Sequence, residues 1–245
     1  VTVFKTSDEL HKAFSNGTVD IMHNTLASSL KHYFNGEDVT VVMQTGYSNG
    51  GDKVIIKRGK SLRDLKGEDF LLYDNDPSVM YFLSKVMKKK KVSLADYNYK
   101  VVDVSYASDK FVAGSSNVIM TYDPHSLRAL KDGNGEIVSS TKDFKSVIPE
   151  GWIMKRAKLK STPKEDLTKL FTGFAQSLDW MNKRKNFKEF FKILKTKTLV
   201  SQKVGFKNAK TMLSGIKFLT KRELKSENKR DVIDYFKDLK KFLKK

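Results

Sequence analysis

The sequence contains no cysteine among its 245 residues, and this absence excludes several kinds of chemistry. Disulfide bonds, thiolate metal ligands and a cysteine nucleophile all require a thiol, so this chain has none of them. The absence leaves the compartment open, because an envelope protein that needs no disulfide fits it as well as a cytosolic protein does.

Long apolar stretches are also missing. No stretch of the sequence approaches the roughly 18 consecutive apolar residues of a transmembrane helix, and no basic and then apolar leader precedes Val1. Because the chain begins with Val1 rather than methionine, and almost inside a predicted strand, we expect that an N-terminal part has been lost. A secretion leader or a lipid anchor would have been lost with it.

The motifs of common catalytic sites are absent as well. The sequence has no G-x-S-x-G, no H-E-x-x-H and no phosphate-binding G-x-x-x-x-G-K-[ST]. The acidic, glycine-rich turn at residues 132–136 is too short for a calcium loop. We therefore expect a protein that is not an enzyme and that holds neither a metal nor a cofactor.

Positive charge is what the sequence has in excess. Its 47 lysines and arginines outnumber 28 aspartates and glutamates, for a formal net charge of +19. Nucleic acid, an anionic membrane surface and plain solvated helix faces could each explain this excess. The lysines are spread over every segment, with one block at residues 88–91, and no RNA-binding or zinc-finger motif accompanies them. This favours solvated helix faces and makes nucleic acid an unlikely partner.

Short strands alternate with short helices along most of the chain. Residues 1–4, 19–22, 39–43 and 54–56 are typical of the first strands, and glycine or asparagine ends the helices between them. This alternation predicts parallel βαβ units with ligand loops at the carboxyl ends of the strands. The apolar content of 39% is enough for two modest lobes or one large domain.

A polar, glycine-rich turn connects two of these strands. Ser48 and Asn49 offer a hydroxyl, an amide and backbone N–H groups to a ligand, while Gly50 and Gly51 keep the backbone accessible. Asp52 is expected to fix the turn by bonding backbone amides rather than to contact ligand. A plain turn is the alternative interpretation, although it would need only one glycine.

Three predicted helix starts carry small polar residues directly after a strand. Helix N-termini present free N–H groups and the positive end of the helix dipole, so three of them in one cleft would hold an anion or a carboxylate. Ordinary helix capping is the alternative. The candidate residues at these starts are Asn24, Thr25, Asp76, Ser78 and Tyr106.

Aromatic side chains and one histidine complete the candidate site. Tyr122 and Asp123 follow a predicted strand, and an aromatic wall beside an acid can orient an amine or a heteroaromatic ring. A helix cap and a core tyrosine would explain the same pair. Tyr81 adds a further aromatic group. His23 directly precedes a predicted helix start, although a lone histidine is more often structural than a ligand contact.

The turn and the residues after it resemble a known family. The letters YSNGGD, an apolar strand and then SLRDLKG are similar to the crossover region of ABC-importer substrate-binding proteins for nitrate, sulfonates, taurine and thiamine-pyrimidine precursors. The resemblance extends from Val1 to about Trp180. Relatives begin with an additional strand and helix that this sequence lacks, and Tyr122 stands where they often have tryptophan.

The resemblance implies a type II periplasmic-binding-protein fold. This is a two-lobed α/β fold of mixed, mostly parallel sheets with flanking helices, here with a helical C-terminal region. Lobe 1 would comprise residues 1–52 and 151–245, and lobe 2 residues 53–150. The chain would cross between the lobes near residues 48–57 and 147–154.

The resemblance also implies a function. The protein would be the solute-binding receptor of an ABC importer, capturing a small anionic, zwitterionic or heteroaromatic ligand between two lobes by hinge closure. Its partners would be this small molecule and a membrane permease, and it would act as a monomer in the periplasm or at the cell-envelope surface. The hinge would contain Gly50, Gly51 and Asp52. The residues implied to contact ligand are His23, Asn24, Thr25, Ser48, Asn49, Asp76, Ser78, Tyr81, Tyr106, Tyr122 and Asp123.

Three alternatives stay open on the sequence alone. The same two-lobed fold serves as a ligand-sensing domain in transcription regulators, and it also serves enzymes such as a dehydratase of a small organic acid. The third alternative is a basic protein that binds surfaces or nucleic acid, for which steeply salt-dependent binding would be diagnostic.

Overall fold

The structure is a computed structural model that describes residues 1–4, 6–197 and 204–244. Helices and strands alternate through its first two thirds, and helices predominate afterwards. In chain order the elements are α1 (Ser7–Ser15), β1 (Ile21–Thr25), α2 (Ser28–Phe34), β2 (Val39–Ser48), β3 (Asp52–Lys57), β4 (Asp69–Leu72), α3 (Pro77–Lys90), β5 (Asn98–Val101), α4 (Val104–Val112), β6 (Val118–Tyr122), α5 (His125–Lys131), β7 (Gly135–Ser140), β8 (Pro149–Lys155), α6 (Arg156–Ser161), α7 (Lys164–Met181), α8 (Phe187–Lys197), α9 (Phe206–Ser214), β9 (Ile216–Phe218) and α10 (Lys221–Leu243).

The chain folds into two compact units. The first unit contains residues 1–46, 150–209 and 218–234, and the second contains the remaining residues, Tyr47–Pro149, Lys210–Lys217 and Tyr235–Lys245. Residues 210–217 and 235–245 thus belong to the second unit, although they come late in the sequence. The two lobes expected from the sequence, residues 1–52 with 151–245 and residues 53–150, stay a prediction.

The first sheet has the strand order β1-β8-β2-β9, with β1 antiparallel to β8. Its apolar core in the first unit comprises Phe14, Met22, Val39 and Ile153. At Gly151 on β8 the neighbouring backbone comes so close that an added Cβ would lie 2.2 Å from the carbonyl oxygen of Met43. Only glycine fits there without moving β2.

The second sheet lies within the second unit and has the strand order β5-β4-β6-β3-β7. Strand β4 is parallel to β5 and β6, whereas β3 is antiparallel to both of its neighbours. Helices α4 and α5 cover one face of this sheet through a core of Ile55, Leu71, Phe111, Ile119 and two alanines. The result is a mixed sheet with helical layers.

Local sequence explains where the helices of the second unit begin. Asp76 caps α3 by accepting the N–H of Ser78 at 2.8 Å, and proline follows at the first helical position. Asp103 caps α4 in the same way, accepting the N–H groups of Ser105 and Tyr106. The helix starts after β4 and β5 therefore follow directly from short polar side chains.

The predicted fold class is confirmed, because the structure is a mixed α/β fold whose sheets are flanked by helices, with a mostly helical C-terminal region. The predicted strand at residues 1–4 is wrong. This segment is neither helical nor paired with another strand, and Val1 and Val3 are exposed. Four residues of high strand propensity do not form a strand without a neighbouring strand to bond.

Two further element boundaries differ from the sequence prediction. Residues 23–25 were expected to lead into a helix, but they lie in β1, and α2 begins only at Ser28. The strand predicted at residues 39–43 is longer than expected, because β2 continues to Ser48. Among the described residues, no helix has both the length and the apolar character needed to cross a membrane.

Candidate ligand-binding residues

One edge of the second sheet gathers polar and aromatic side chains. The parallel strands β4 and β6 both end there, and the antiparallel strand β3 begins there, with Asp52 opposite Tyr122. Strand register therefore brings together residues that are far apart in sequence. We call this group the polar edge, and it consists of Asp52, Lys53, Tyr73, Tyr122 and Asp123.

Tyr73 connects two members of the polar edge. Its hydroxyl donates to Oδ1 of Asp52 at 2.5 Å, and its ring meets the ring of Tyr122 edge to face with centroids 4.9 Å apart. Asp52 is buried, and burial raises the pKa of its carboxyl above the ordinary value. Burial and the nearby Asp52 together raise the pKa of Tyr73 well above its ordinary value. The tyrosine is therefore a hydrogen-bond donor at any physiological pH.

Lys53 and Asp123 form the second pair of the polar edge. Lys53 Nζ lies 2.8 Å from Asp123 Oδ1 and also donates to the carbonyl oxygen of Gly51 at 3.0 Å. Ser126 Oγ donates to the same carboxylate oxygen of Asp123. Both members of the pair are largely buried, so the lysine charge is neutralised locally.

Tyr122 is the exposed aromatic residue of the polar edge, with 37% of its surface accessible. Partial burial raises the pKa of its hydroxyl, and the carboxylates of Asp52, Asp103 and Asp74 raise it further. The His125 ring lies 6.0 Å away, and burial lowers its pKa. The imidazole is therefore neutral at pH 7, so carboxylates dominate the field around Tyr122 although the chain as a whole is strongly basic.

Tyr106 also lies in the second unit, on the first turn of α4, and is 48% exposed. Its backbone N–H is bonded by the side chain of Asp103, and Lys110 lies over its ring at 5.2 Å. The amides at this helix start are thus satisfied by the capping aspartate. Any ligand contact here would come from the tyrosine ring rather than from free N–H groups.

The glycine-rich turn is bonded within the protein. Ser48 is buried, and its hydroxyl lies 2.7 Å from that of Thr141. Gly50 donates its N–H to Thr141 Oγ1 at 2.7 Å, while Asn49 and Gly51 both donate to the carbonyl oxygen of Gly215, at 2.7 and 3.0 Å. The backbone donors expected for a ligand thus have internal acceptors.

Asp52 and the two glycines shape this turn by different means. The carboxylate of Asp52 accepts from the Tyr73 hydroxyl, whereas its backbone N–H donates to Ser48 Oγ at 3.2 Å. Gly50 has a positive φ of 103°, and an added Cβ at Gly51 would lie 3.0 Å from the Gly215 oxygen. The positive φ favours glycine at position 50, and a side chain at position 51 would crowd the Gly215 carbonyl.

Asp76, Ser78 and Tyr81 lie at the start of α3 but do not join the polar edge. The hydroxyl of Ser78 lies 2.7 Å from that of Tyr235, and the ring of Tyr81 contacts the rings of Tyr235 and Phe242. Ser78 and Tyr81 are buried. The structure therefore places these side chains against the last part of α10.

His23, Asn24 and Thr25 are neighbours on β1 in the first unit. Nε2 of His23 lies 2.7 Å from Thr45 Oγ1, and Oδ1 of Asn24 accepts the N–H of Thr25. The surrounding protein lowers the pKa of His23 to about 4, although the residue keeps part of its surface open to solvent. The ring is therefore neutral at pH 7. The hydroxyl of Thr25 lies 2.9 Å from that of Ser28, the first residue of α2.

Several residues of these groups were missed by the sequence analysis. Tyr73 follows β4 directly, and Asp103 follows β5. Tyr122 was selected because ligand residues are expected at the carboxyl ends of strands, and the same expectation could have identified these two residues. Lys53 was not singled out because it lies between the glycine-rich turn and the predicted strand at residues 54–56. No local sequence pattern predicts that His125 and Thr45 lie beside the candidate residues. Within residues 1–4, 6–197 and 204–244, no cluster of three or more histidine, aspartate or glutamate side chains could hold a metal ion.

Comparison with solved structures shows the fold to be that of periplasmic solute-binding proteins. The periplasmic aliphatic sulphonate binding protein SsuA from Escherichia coli has a TM-score of 0.72 at 13% identity, covering 96% of this chain and 81% of that chain. The alkanesulfonate-binding protein SsuA from Xanthomonas axonopodis pv. citri, bound to MOPS, has a TM-score of 0.68 at 15% identity with the same coverage.

A Staphylococcus aureus ligand-binding component of an ABC-type import system, with zinc bound, has a TM-score of 0.69 at 13% identity. It matches 88% of this chain and 72% of its own. All three are named as binding proteins. No family model matches the sequence, and a search of curated protein sequences finds no match.

Proposed function

We propose that the chain, whose fold is that of the periplasmic solute-binding proteins, is the solute-binding receptor of an ABC importer. The observation that carries this proposal is the length of the match, which covers 96% of this chain and 81% of the Escherichia coli protein. The receptor would be a monomer in the periplasm or at the cell-envelope surface, would pass its ligand to a membrane permease and would catalyse no reaction. A lipid anchor is compatible with this role.

The polar edge supports a narrower proposal about the ligand. Tyr122 offers an exposed aromatic surface that feels the negative charge of Asp52, Asp103 and Asp74, whereas the charge of Lys53 is neutralised by Asp123. Carboxylates favour a ligand with a protonated amine or ring nitrogen, and an aromatic face favours a cation or a flat ring. Among the expected classes, taurine-like zwitterions and aminopyrimidines fit this edge better than nitrate or a simple alkanesulfonate.

Of the other predicted contacts, Asp123, Tyr106, His23, Asn24 and Thr25 remain proposed ligand residues. Asp123 adjoins Tyr122, and Tyr106 is exposed on α4. Weaker proposals are Ser48, Asn49, Asp76, Ser78 and Tyr81, because hydrogen bonds and ring contacts link these residues to other parts of the protein.

The experiment is a thermal-shift and calorimetric screen at fixed salt with taurine, MOPS, short alkanesulfonates, nitrate and aminopyrimidines. A ligand at one hundred times its Kd stabilises the folded state by about 2.7 kcal/mol, which raises the Tm clearly. We expect the largest shifts for compounds that carry a basic nitrogen. Tyr122→Ala should weaken such binding at least about tenfold, whereas Tyr33→Ala, at an exposed tyrosine of α2, should not.

The outcomes distinguish the proposed receptor function from the proposed preference for ligands with a basic nitrogen. Binding of nitrate or alkanesulfonates alone would support a receptor and contradict the preference for basic nitrogen. A bound compound that is converted to product would indicate an enzyme instead. No binding by any compound would contradict the receptor for these ligand classes.

A further inference from the structure

Two histidines of the first unit are hydrogen-bonded directly to each other. Nδ1 of His11, on α1, lies 2.8 Å from Nε2 of His32, on α2. His32 is buried, and its ring meets the fully buried ring of Phe14 edge to face, with centroids 4.8 Å apart. The histidine pair, His11 and His32, therefore joins α1 to α2 through two rings that can each gain a proton.

Glu37 determines which nitrogen of His32 carries a hydrogen. Gly36 has a positive φ of 81°, and the backbone N–H of Glu37 donates to the carbonyl oxygen of His32 at 3.0 Å, so the chain turns back over α2. Oε1 of Glu37 then lies 2.8 Å from Nδ1 of His32. An ionised carboxylate can only accept, so Nδ1 of His32 carries the hydrogen and Nε2 faces His11.

Two further donors keep Glu37 ionised. Ser15 Oγ donates to Oε1 at 2.7 Å, and Nζ of Lys155, at the end of β8, lies 3.3 Å from Oε2. Burial by itself would raise the pKa of Glu37, but the hydrogen bonds from His32 and from these two donors outweigh burial, so this pKa lies below its ordinary value. One carboxylate thus faces both Lys155 and the histidine pair.

The two ring nitrogens that face each other share a single hydrogen. When both rings are neutral, His11 donates it to Nε2 of His32. One added proton makes either ring cationic, and the other ring still offers a lone pair across the contact. A second added proton places a hydrogen on both facing nitrogens, so neither can accept and the bond must break.

The charges around the histidine pair add to the cost of the second proton. Lys155 is already positive, and Glu37 supplies one negative charge to offset it. Asp8, one turn before His11 on α1, is exposed, so water screens its charge. Two cationic rings beside Lys155 would therefore repel each other with little compensation.

We propose that His11, His32 and Glu37 form an acid-sensitive contact that holds α1 against α2 while the histidine pair carries at most one added proton, and that releases α1 when it carries two. The open state can take up both protons, so lowering the pH favours it. Phe14 still anchors α1 in the apolar core, so we expect local opening of α1 rather than unfolding of the unit. The proposal is independent of the receptor function and of its ligand.

The test is NMR hydrogen exchange of the α1 backbone amides in the full chain, between about pH 7.5 and about pH 4.5, across the ordinary range of histidine. Each rate is divided by that of an unstructured peptide at the same pH, which removes the intrinsic pH dependence of exchange. We expect the protection of the α1 amides to fall at least about tenfold in acid, the equivalent of one lost buried hydrogen bond.

His11→Asn separates the proposal from general acid destabilisation. The asparagine amide takes the place of Nδ1 and can donate through its nitrogen or, after turning over, accept through its oxygen. It therefore bonds His32 in either protonation state and gains no proton of its own. We expect the α1 amides of this variant to keep their protection in acid within about twofold.

His125→Asn is the matched control, because it removes a histidine of the second unit and leaves the histidine pair intact. It should lose α1 protection in acid as the parent does. Proton–nitrogen NMR spectra of the parent's rings give a second readout, since His32 should carry its hydrogen on Nδ1 at neutral pH. Unchanged α1 protection in the parent, equal loss in His11→Asn, or a hydrogen on Nε2 of neutral His32 would each overturn the proposal.

Discussion

The hydroxyl of Tyr73 donates a 2.5 Å hydrogen bond to the buried carboxylate of Asp52, joining the end of β4 to the start of β3. A buried carboxylate that loses a donor keeps its desolvation cost without compensation. We therefore expect Tyr73→Phe to lower the free energy of unfolding by about 2 kcal/mol. The measurement is the urea midpoint at unchanged m-value.

Tyr97 supplies the matched control for this prediction. Its hydroxyl donates to the neutral carbonyl oxygen of Leu62 at 2.6 Å, so Tyr97→Phe also removes one buried hydroxyl bond. Bonds to neutral acceptors contribute less, and we expect a loss of about 1 kcal/mol. A loss at Tyr97 equal to or greater than that at Tyr73 would show that the charge of Asp52 does not matter.

Two glycine substitutions should have opposite effects. Gly151→Ala places a Cβ 2.2 Å from the Met43 carbonyl oxygen, so strands β8 and β2 must separate, at a cost of about 3 kcal/mol. Gly173→Ala has open space around it within α7 and should stabilise the protein by roughly 0.5 to 1 kcal/mol. Thermal unfolding of both variants tests these two expectations. Changes in Tm of the same sign would contradict the prediction.

The bond between Ser78 and Tyr235 should be a coupled interaction. Each hydroxyl is buried, so removing either one leaves the other without its partner. We expect Ser78→Ala and Tyr235→Phe each to cost about 1 to 2 kcal/mol. The double variant should cost less than the sum of the two single variants. Strictly additive losses in a double-mutant cycle would show that the two hydroxyls do not interact.

His23 should make stability depend on pH. The unfolded chain binds a proton on this ring near the ordinary pKa of 6.5, whereas the folded chain does so only near 4. Between these values the unfolded state holds more protons, so stability falls as the pH is lowered from 6.5 towards 4.

The matched variant for this pH effect is His23→Gln, which keeps a polar group near Thr45. Its urea midpoint should fall less over the same pH interval than that of the parent. An NMR titration of the His23 ring with a midpoint near 6.5 would refute the shifted pKa.

The sequence predicted those parts of the fold that depend on local rules. The alternation of strands and helices gave the α/β class, and the position after a strand marked Tyr122 and Asp123. Capping chemistry marked the start of α3, where Asp76 does cap the helix. These features depend on neighbours within a few residues, which the sequence displays directly.

Long-range contacts were beyond the reach of the sequence. Ser48 looked available to a ligand, but Thr141 lies against it because β7 ends beside the turn. Ser78 looked like a free helix-start hydroxyl, but Tyr235 reaches it from α10. Neither partner can be identified from periodicity or local propensity, since the pairing depends on how remote elements pack.

The carbonyl oxygen of Gly215 accepts two N–H groups of the crossover turn, and residues 210–217 and 235–245 complete the second unit. A ribosome synthesises these segments long after it has finished the strands of the second sheet. The second unit therefore reaches its full set of contacts only after synthesis has passed α10. Until then its polar turn and the start of α3 would be uncovered and open to chaperones and proteases.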